Sequence, residues 1–129
     1  MEITAAGAVL AVLLTVSLQM LAATAARRRA VEDRQTALVE AANAMERLAA
    51  VPWEEVTDED LAEMQLSEPA QKVLRRGTLA VDVRKAGGEP EAKRIAVTVA
   101  WQDGSGNPQR PVTLVAWRYR AGFPQPNEP

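Results

Sequence analysis

The 129-residue sequence has neither cysteine nor histidine. The first absence rules out disulfides and thiolate nucleophiles, the second removes the imidazole base, and together they take away the commonest zinc and copper ligands. Any catalysis would fall to carboxylates, hydroxyls, lysine or the single tyrosine. A chain free of disulfides is allowed on either side of a membrane, so compartment has to come from topology. Neither sign of charge is in excess, with 15 Lys+Arg against 17 Asp+Glu. The totals therefore supply no electrostatic surface for DNA or RNA, and no nucleic acid partner is expected.

Charge is missing altogether from Ile3 to Ala26, and Arg27-Arg28-Arg29 follow at once. As a helix this run is roughly 36 Å long at about 1.5 Å per residue, enough to cross a hydrocarbon core of about 30 Å. We read it as a retained membrane anchor. A cleavable signal is the weaker alternative. Ala23-Thr24-Ala25 offers a small-x-small site, but the first residues hold no Lys or Arg and the apolar run exceeds an ordinary signal core. The arginines suit anionic headgroups and, by the positive-inside rule, favour a cytoplasmic head. Membrane lipid is thus the first expected partner.

Helical signal continues past the arginines to Val51 with no Gly or Pro. Val31, Leu38, Met45 and Leu48 recur at helical spacing, with Ala41, Ala42 and Ala49 between them, and predict one apolar stripe against which the rest of the domain packs. Glu32, Asp33, Glu40, Glu46 and Arg47 fall on the opposite, solvated side. Pro52 ends the helix, and Trp53 is expected at the corner as a core or hinge aromatic.

Thr57-Asp58-Glu59-Asp60 and Ser67-Glu68-Pro69 each read as a helix start, giving a connector of two short helices, the second carrying Arg75 and Arg76 at its C-terminal end and stopped by Gly77. The period then changes to two. Leu79, Val81 and Val83 form one strand, Ile95, Val97, Val99 and Trp101 a second, and Val112 to Tyr119 a third. In the third strand either Leu114/Ala116 or Val115/Trp117/Tyr119 could face inward. Short loops at 86–90 and 103–108 imply an antiparallel meander, and the only large apolar surface to cover it is the amphipathic half of the long helix.

The fold class expected is therefore α+β: a long N-terminal helix, half membrane and half amphipathic, packed on a three-stranded antiparallel sheet with a short helical connector. The expected division is an anchor over 1–26, a head over 27–122 and a Pro-rich, frayed tail over 123–129. The helix–sheet core is predicted from Val31, Leu38, Met45, Leu48, Trp53, Val81, Val97, Val99, Trp101 and Trp117.

No catalytic constellation emerges. Glu54-Glu55 and Asp58-Glu59-Asp60 sit at helix starts, where capping and solvation explain them. Ser105, Lys85 and Lys93 lie in or beside loops without an identifiable base. Asp103 to Asn107 alternates oxygen donors as a calcium loop does, but the twelfth position from Asp103 is Leu114 rather than a bidentate carboxylate. A hairpin turn is the better reading. The chain is expected not to be an enzyme, with no metal, cofactor or small-molecule substrate.

This layout resembles the type IV pilins and the minor pseudopilins of type II secretion. Glu2 followed by ITAAGAVLAVLL is similar to the family's lone Glu before an apolar run. LVEAANAMERLAAVPW is similar to its helix exit, and VTVAWQDGSGNP with PVTLVAWRY to its C-terminal sheet. Only Met1 stands before the Glu, without the basic leader, Gly-Phe cleavage site or Phe-Thr-Leu-Ile stretch of the family, so either a leader upstream or an unprocessed member is expected. The resemblance implies a structural subunit in the inner membrane, single-pass, with an extracytoplasmic head. It also implies that Glu2 serves assembly with other pilin-like subunits through the N-terminal helix. The alternative is a single-pass anchor that carries a small binding domain and does not polymerise.

Overall fold

The computed structural model describes residues 2–88 and 91–120, the side chains of Glu2 and Ile3 excepted. Glu89 and Pro90 of the expected turn and the whole expected tail over 123–129 lie outside the described residues. Two compact units divide the chain at Asp33/Arg34, later than the 26/27 boundary read from charge. Helix α1 spans Glu2–Ala49. A 3-10 turn follows at Trp53–Glu55, then α2 (Asp58–Leu61), α3 (Glu68–Val73), β1 (Arg75–Ala86), β2 (Ala92–Gln102) and β3 (Val112–Tyr119). The sheet is antiparallel in the order β1-β2-β3. This is the α+β arrangement expected, with the later part of α1 packed on a three-stranded sheet.

Capping sets the connector's boundaries. Thr57 is the N-cap of α2 and accepts from the Asp60 amide, while Ser67 caps α3 and accepts from the Ala70 amide. Each satisfies an amide that the first helical turn leaves without an internal partner. The second of these helices is shorter than its sequence suggests. It ends at Val73, and Arg75 and Arg76 already belong to β1, which carries an irregularity in register between Arg75 and Thr78. Arg76 has a φ of 49°, unusual for a residue with a side chain.

Gly77 therefore acts inside the strand rather than as a helix stop. A Cβ there would stand 2.8 Å from Leu66 Cδ1, 2.9 Å from Leu74 Cβ and 3.1 Å from the Leu74 carbonyl oxygen. Gly77→Ala is expected to destabilise the head by about 1–3 kcal/mol through this overlap, as read by the urea midpoint. Gly87→Ala, with open space around the new methyl, serves as the control.

The core comprises Ala37, Ala41, Ala44 and Leu48 from α1, Val56, Leu61, Leu66, Ala70 and Leu74 from the connector, and Ile95, Val97, Val99, Trp101 and Val112 from the sheet. Of the ten predicted core residues, Leu48, Val97, Val99 and Trp101 are buried, and Met45 and Val81 are partly buried against them. Trp53 is half-buried at the corner. Val31, Leu38 and Trp117, by contrast, are 58%, 49% and 52% exposed and stand outside the core. The face α1 presents to the sheet is lined by alanines, because Ile95, Val97, Val99 and Trp101 already fill the layer between them and small residues let the helix approach. Leu38 follows Ala37 by one residue and so points about 100° away from that face. Trp117 is exposed because β3 turns Val112, Leu114 and Ala116 inward, leaving Val115 and Trp117 on the outer side. Of the two inward sets open to β3, Leu114/Ala116 is the one adopted.

Glu40, expected on the solvated side, is 7% exposed. Its carboxylate accepts from the Ser67 amide at 3.0 Å and the Ser67 hydroxyl at 2.8 Å, which ties the start of α3 to α1.

Candidate functional site

From Thr4 to Arg29 every residue of α1 is exposed. Among the described residues this is one helix long and apolar enough to cross a membrane, and none of its most apolar window is buried by the chain itself. An unburied surface of Val and Leu on this scale is costly in water and stable in a hydrocarbon layer. The single long apolar N-terminal helix is thus compatible with a membrane anchor. Arg27, Arg28 and Arg29 follow the apolar run within the same helix, all exposed. Just beyond, the Asp33 carboxyl is pushed up by burial and by Glu32, against the pull of Arg29. Glu2 is the first residue of α1, and its side chain lies outside the described residues.

At the other end of α1, two cations emerge that the residue pattern did not single out as structural. Lys93, read from sequence as flanking a loop, is the second residue of β2 and only 3% exposed. It occupies the same alternating set as Ile95, Val97 and Val99, so the pleat turns it inward. Its ammonium donates to the Trp53 carbonyl at 2.6 Å and to the Val56 carbonyl at 3.0 Å, and lies 4.5 Å from the centre of the Trp53 ring. Burial pushes this amine below the ordinary lysine range; Lys85 and Arg118 add to the fall, while Glu54 and Glu91 oppose it.

Arg118 stands opposite Lys93 in the register. Its guanidinium donates to the Leu48 carbonyl at 3.2 Å and to the Val51 carbonyl. These carbonyls belong to the last turn of α1 and its exit, where acceptors lack helical partners and the dipole favours a cation. The sheet thereby fixes the corner at Pro52 with two charged side chains.

The carboxylate clusters also have structural work. Asp58 Oδ1 accepts from the Val83 amide at 2.7 Å, pinning α2 to the outer edge of β1. Asp103 Oδ1 accepts from the Ser105 and Asn107 amides at 2.8 and 2.9 Å, and Gly106 takes the positive φ of 82° that closes the loop. The Asn107 amide holds the Asp103 carboxyl below its usual range; slight burial opposes this, and Ser105, the Asn107 side chain and Arg75 add to it. The Gly104 carbonyl accepts from Arg75 at 2.6 Å. The loop is a hairpin connection organised around the Asp103 carboxylate. Ser105 is exposed within it.

Compared with known proteins, the chain matches no family model, no curated protein and no solved structure.

Proposed function

We propose that this chain is a pilin-like structural subunit of the minor pseudopilin kind, serving a type II secretion or type IV pilus-like assembly. The observation that carries the reading is one unbroken helix, Glu2–Ala49, that has an exposed apolar run up to Ala26 and an alanine face from Ala37 to Leu48 packed under a three-stranded antiparallel sheet. A helix with nothing to bury its apolar side chains needs either lipid or other helices around it. Pilin-like assembly supplies both. On this reading the anchor is single-pass in the inner membrane. The resemblance puts the head on the extracytoplasmic side, against the charge bias of Arg27, Arg28 and Arg29.

Glu2 is the residue assigned to assembly. A carboxylate at the membrane boundary is expensive unless neutralised, and the terminal amine of an adjacent subunit is the partner the family pattern implies. Cysteine crosslinking tests this without background, because the native chain has no Cys. A single cysteine at Leu10 in the full chain should crosslink in membranes to copies of itself or to co-expressed pilin-like subunits. Adding Glu2→Ala should reduce that yield severalfold while membrane insertion and head folding persist. No crosslinking in the parent would favour the solitary anchor with a small binding domain.

A further inference from the structure

A cleft of about 640 Å³ opens where β1 and β2 approach their connecting turn, walled in part by Trp53, Glu54, Lys85, Glu91, Lys93 and Arg120. Its volume falls in the range of about 300–1,000 Å³ usual for ligand sites. The strand register sets Lys85 opposite Lys93, and Lys93 opposite Arg118. Three cations thus stand abreast on one side of the sheet, where like charges directly opposite one another oppose folding.

Two of the three are compensated by carbonyls: Lys93 by those of Trp53 and Val56, Arg118 by those of Leu48 and Val51. Lys85 is exposed, and among the described residues no carboxylate forms an ion pair with it. Arg120 is already matched by Glu91 at 3.1 Å. Among the described residues of the cleft, Lys85, Lys93 and Arg120 then stand against Glu54 and Glu91, a surplus of one positive charge. That surplus suits a monoanion, whereas a multiply charged phosphate would meet the Glu54 and Glu91 carboxylates. The half-buried indole of Trp53 adds an apolar wall.

We propose that this cleft binds a carboxylate carried on an apolar group, with Lys85 as its ion-pair partner and the Trp53 indole as the surface its apolar part covers. A free organic acid and an acidic residue flanked by apolar ones in a partner protein present the same chemistry. The site is independent of how the apolar helix is used.

The test is an NMR titration of the full chain in detergent micelles, following the Trp53 indole N–H, assigned with Trp53→Phe. The two probes are 3-phenylpropionate and the blocked peptide acetyl-Leu-Glu-Leu-amide. Saturable shifts with the acid, the peptide or both support the site and tell the two sources apart. Lys85→Gln should weaken binding roughly tenfold, the scale of one charged hydrogen bond. Lys72→Gln, on α3 and outside the cleft, should bind as the parent does, and the buried Trp101 indole signal should stay unmoved as a check on folding. Micelle partitioning is common to all variants, so the difference between them reports the cleft. No saturable shift with either probe, or equal affinity in the parent and Lys85→Gln, would overturn the proposal.

Discussion

Leu48→Asp is expected to unfold the head. Leu48 is fully buried in the cluster that joins α1 to Val56, Leu74, Val97 and Val99. An aspartate there loses the transfer free energy of the leucine and buries a carboxylate among apolar side chains, with the nearby Arg118 already engaged by the Leu48 and Val51 carbonyls. The two losses together are expected to cost more than about 4 kcal/mol. A small domain has only about 5–15 kcal/mol in total, so most of the margin goes. The matched control is Leu38→Asp, about half exposed on the same helix, which should cost under about 0.5 kcal/mol. Urea denaturation of the chain from Arg27 onward provides the comparison. Equal and small effects at the two positions would mean that α1 does not form the core assigned to it.

The second large effect is expected at Glu40. Removing its carboxylate deprives the Ser67 amide and hydroxyl of their acceptor and loosens the residue that caps α3. Hydrogen bonds to a charged acceptor are the stronger kind, and Glu40→Ala is expected to cost about 2–3 kcal/mol. Glu46→Ala on the exposed side of the same helix should cost under about 0.5 kcal/mol. Denaturation midpoints in urea that fall together for the two variants would contradict the link between α1 and α3.

Glu40 shows where sequence and structure part. Helical spacing locates the apolar and polar sides of α1 only if apolar size marks the buried side. Here the sheet carries the bulk, so the buried side is Ala37, Ala41 and Ala44, and the larger Leu38 is left outside. A carboxylate on that same side becomes tolerable because the connector brings Ser67 to it, a contact 27 residues away in the chain that no local pattern encodes. Features governed by neighbouring residues were legible. Pro52 ends the long helix, Thr57 and Ser67 start the short ones, and alternation around Val81, Val97 and Val99 marks the strands.

The two cations at the corner were readable only in part. Lys93 continues the alternation of Ile95 and Val97 by one step and so was predictably inward, whereas Arg118 follows Leu114 and Ala116, a set that the sequence left open against Val115, Trp117 and Tyr119. What the residue types hid was the set of acceptors. The carbonyls at the helix exit and the turn after it are fixed by where the chain bends, and they satisfy an inward cation that hydrophobic patterning treats as the end of a strand.

Alkaline carbonate extraction of membranes from cells expressing the full chain is the most direct test of the anchored-subunit reading. The chain should remain in the membrane pellet, because the apolar run from Thr4 to Ala26 is exposed along its whole length, while the chain from Arg27 onward should be soluble and folded. Recovery of the intact full chain in the soluble fraction before carbonate, or its release by carbonate, would contradict the account.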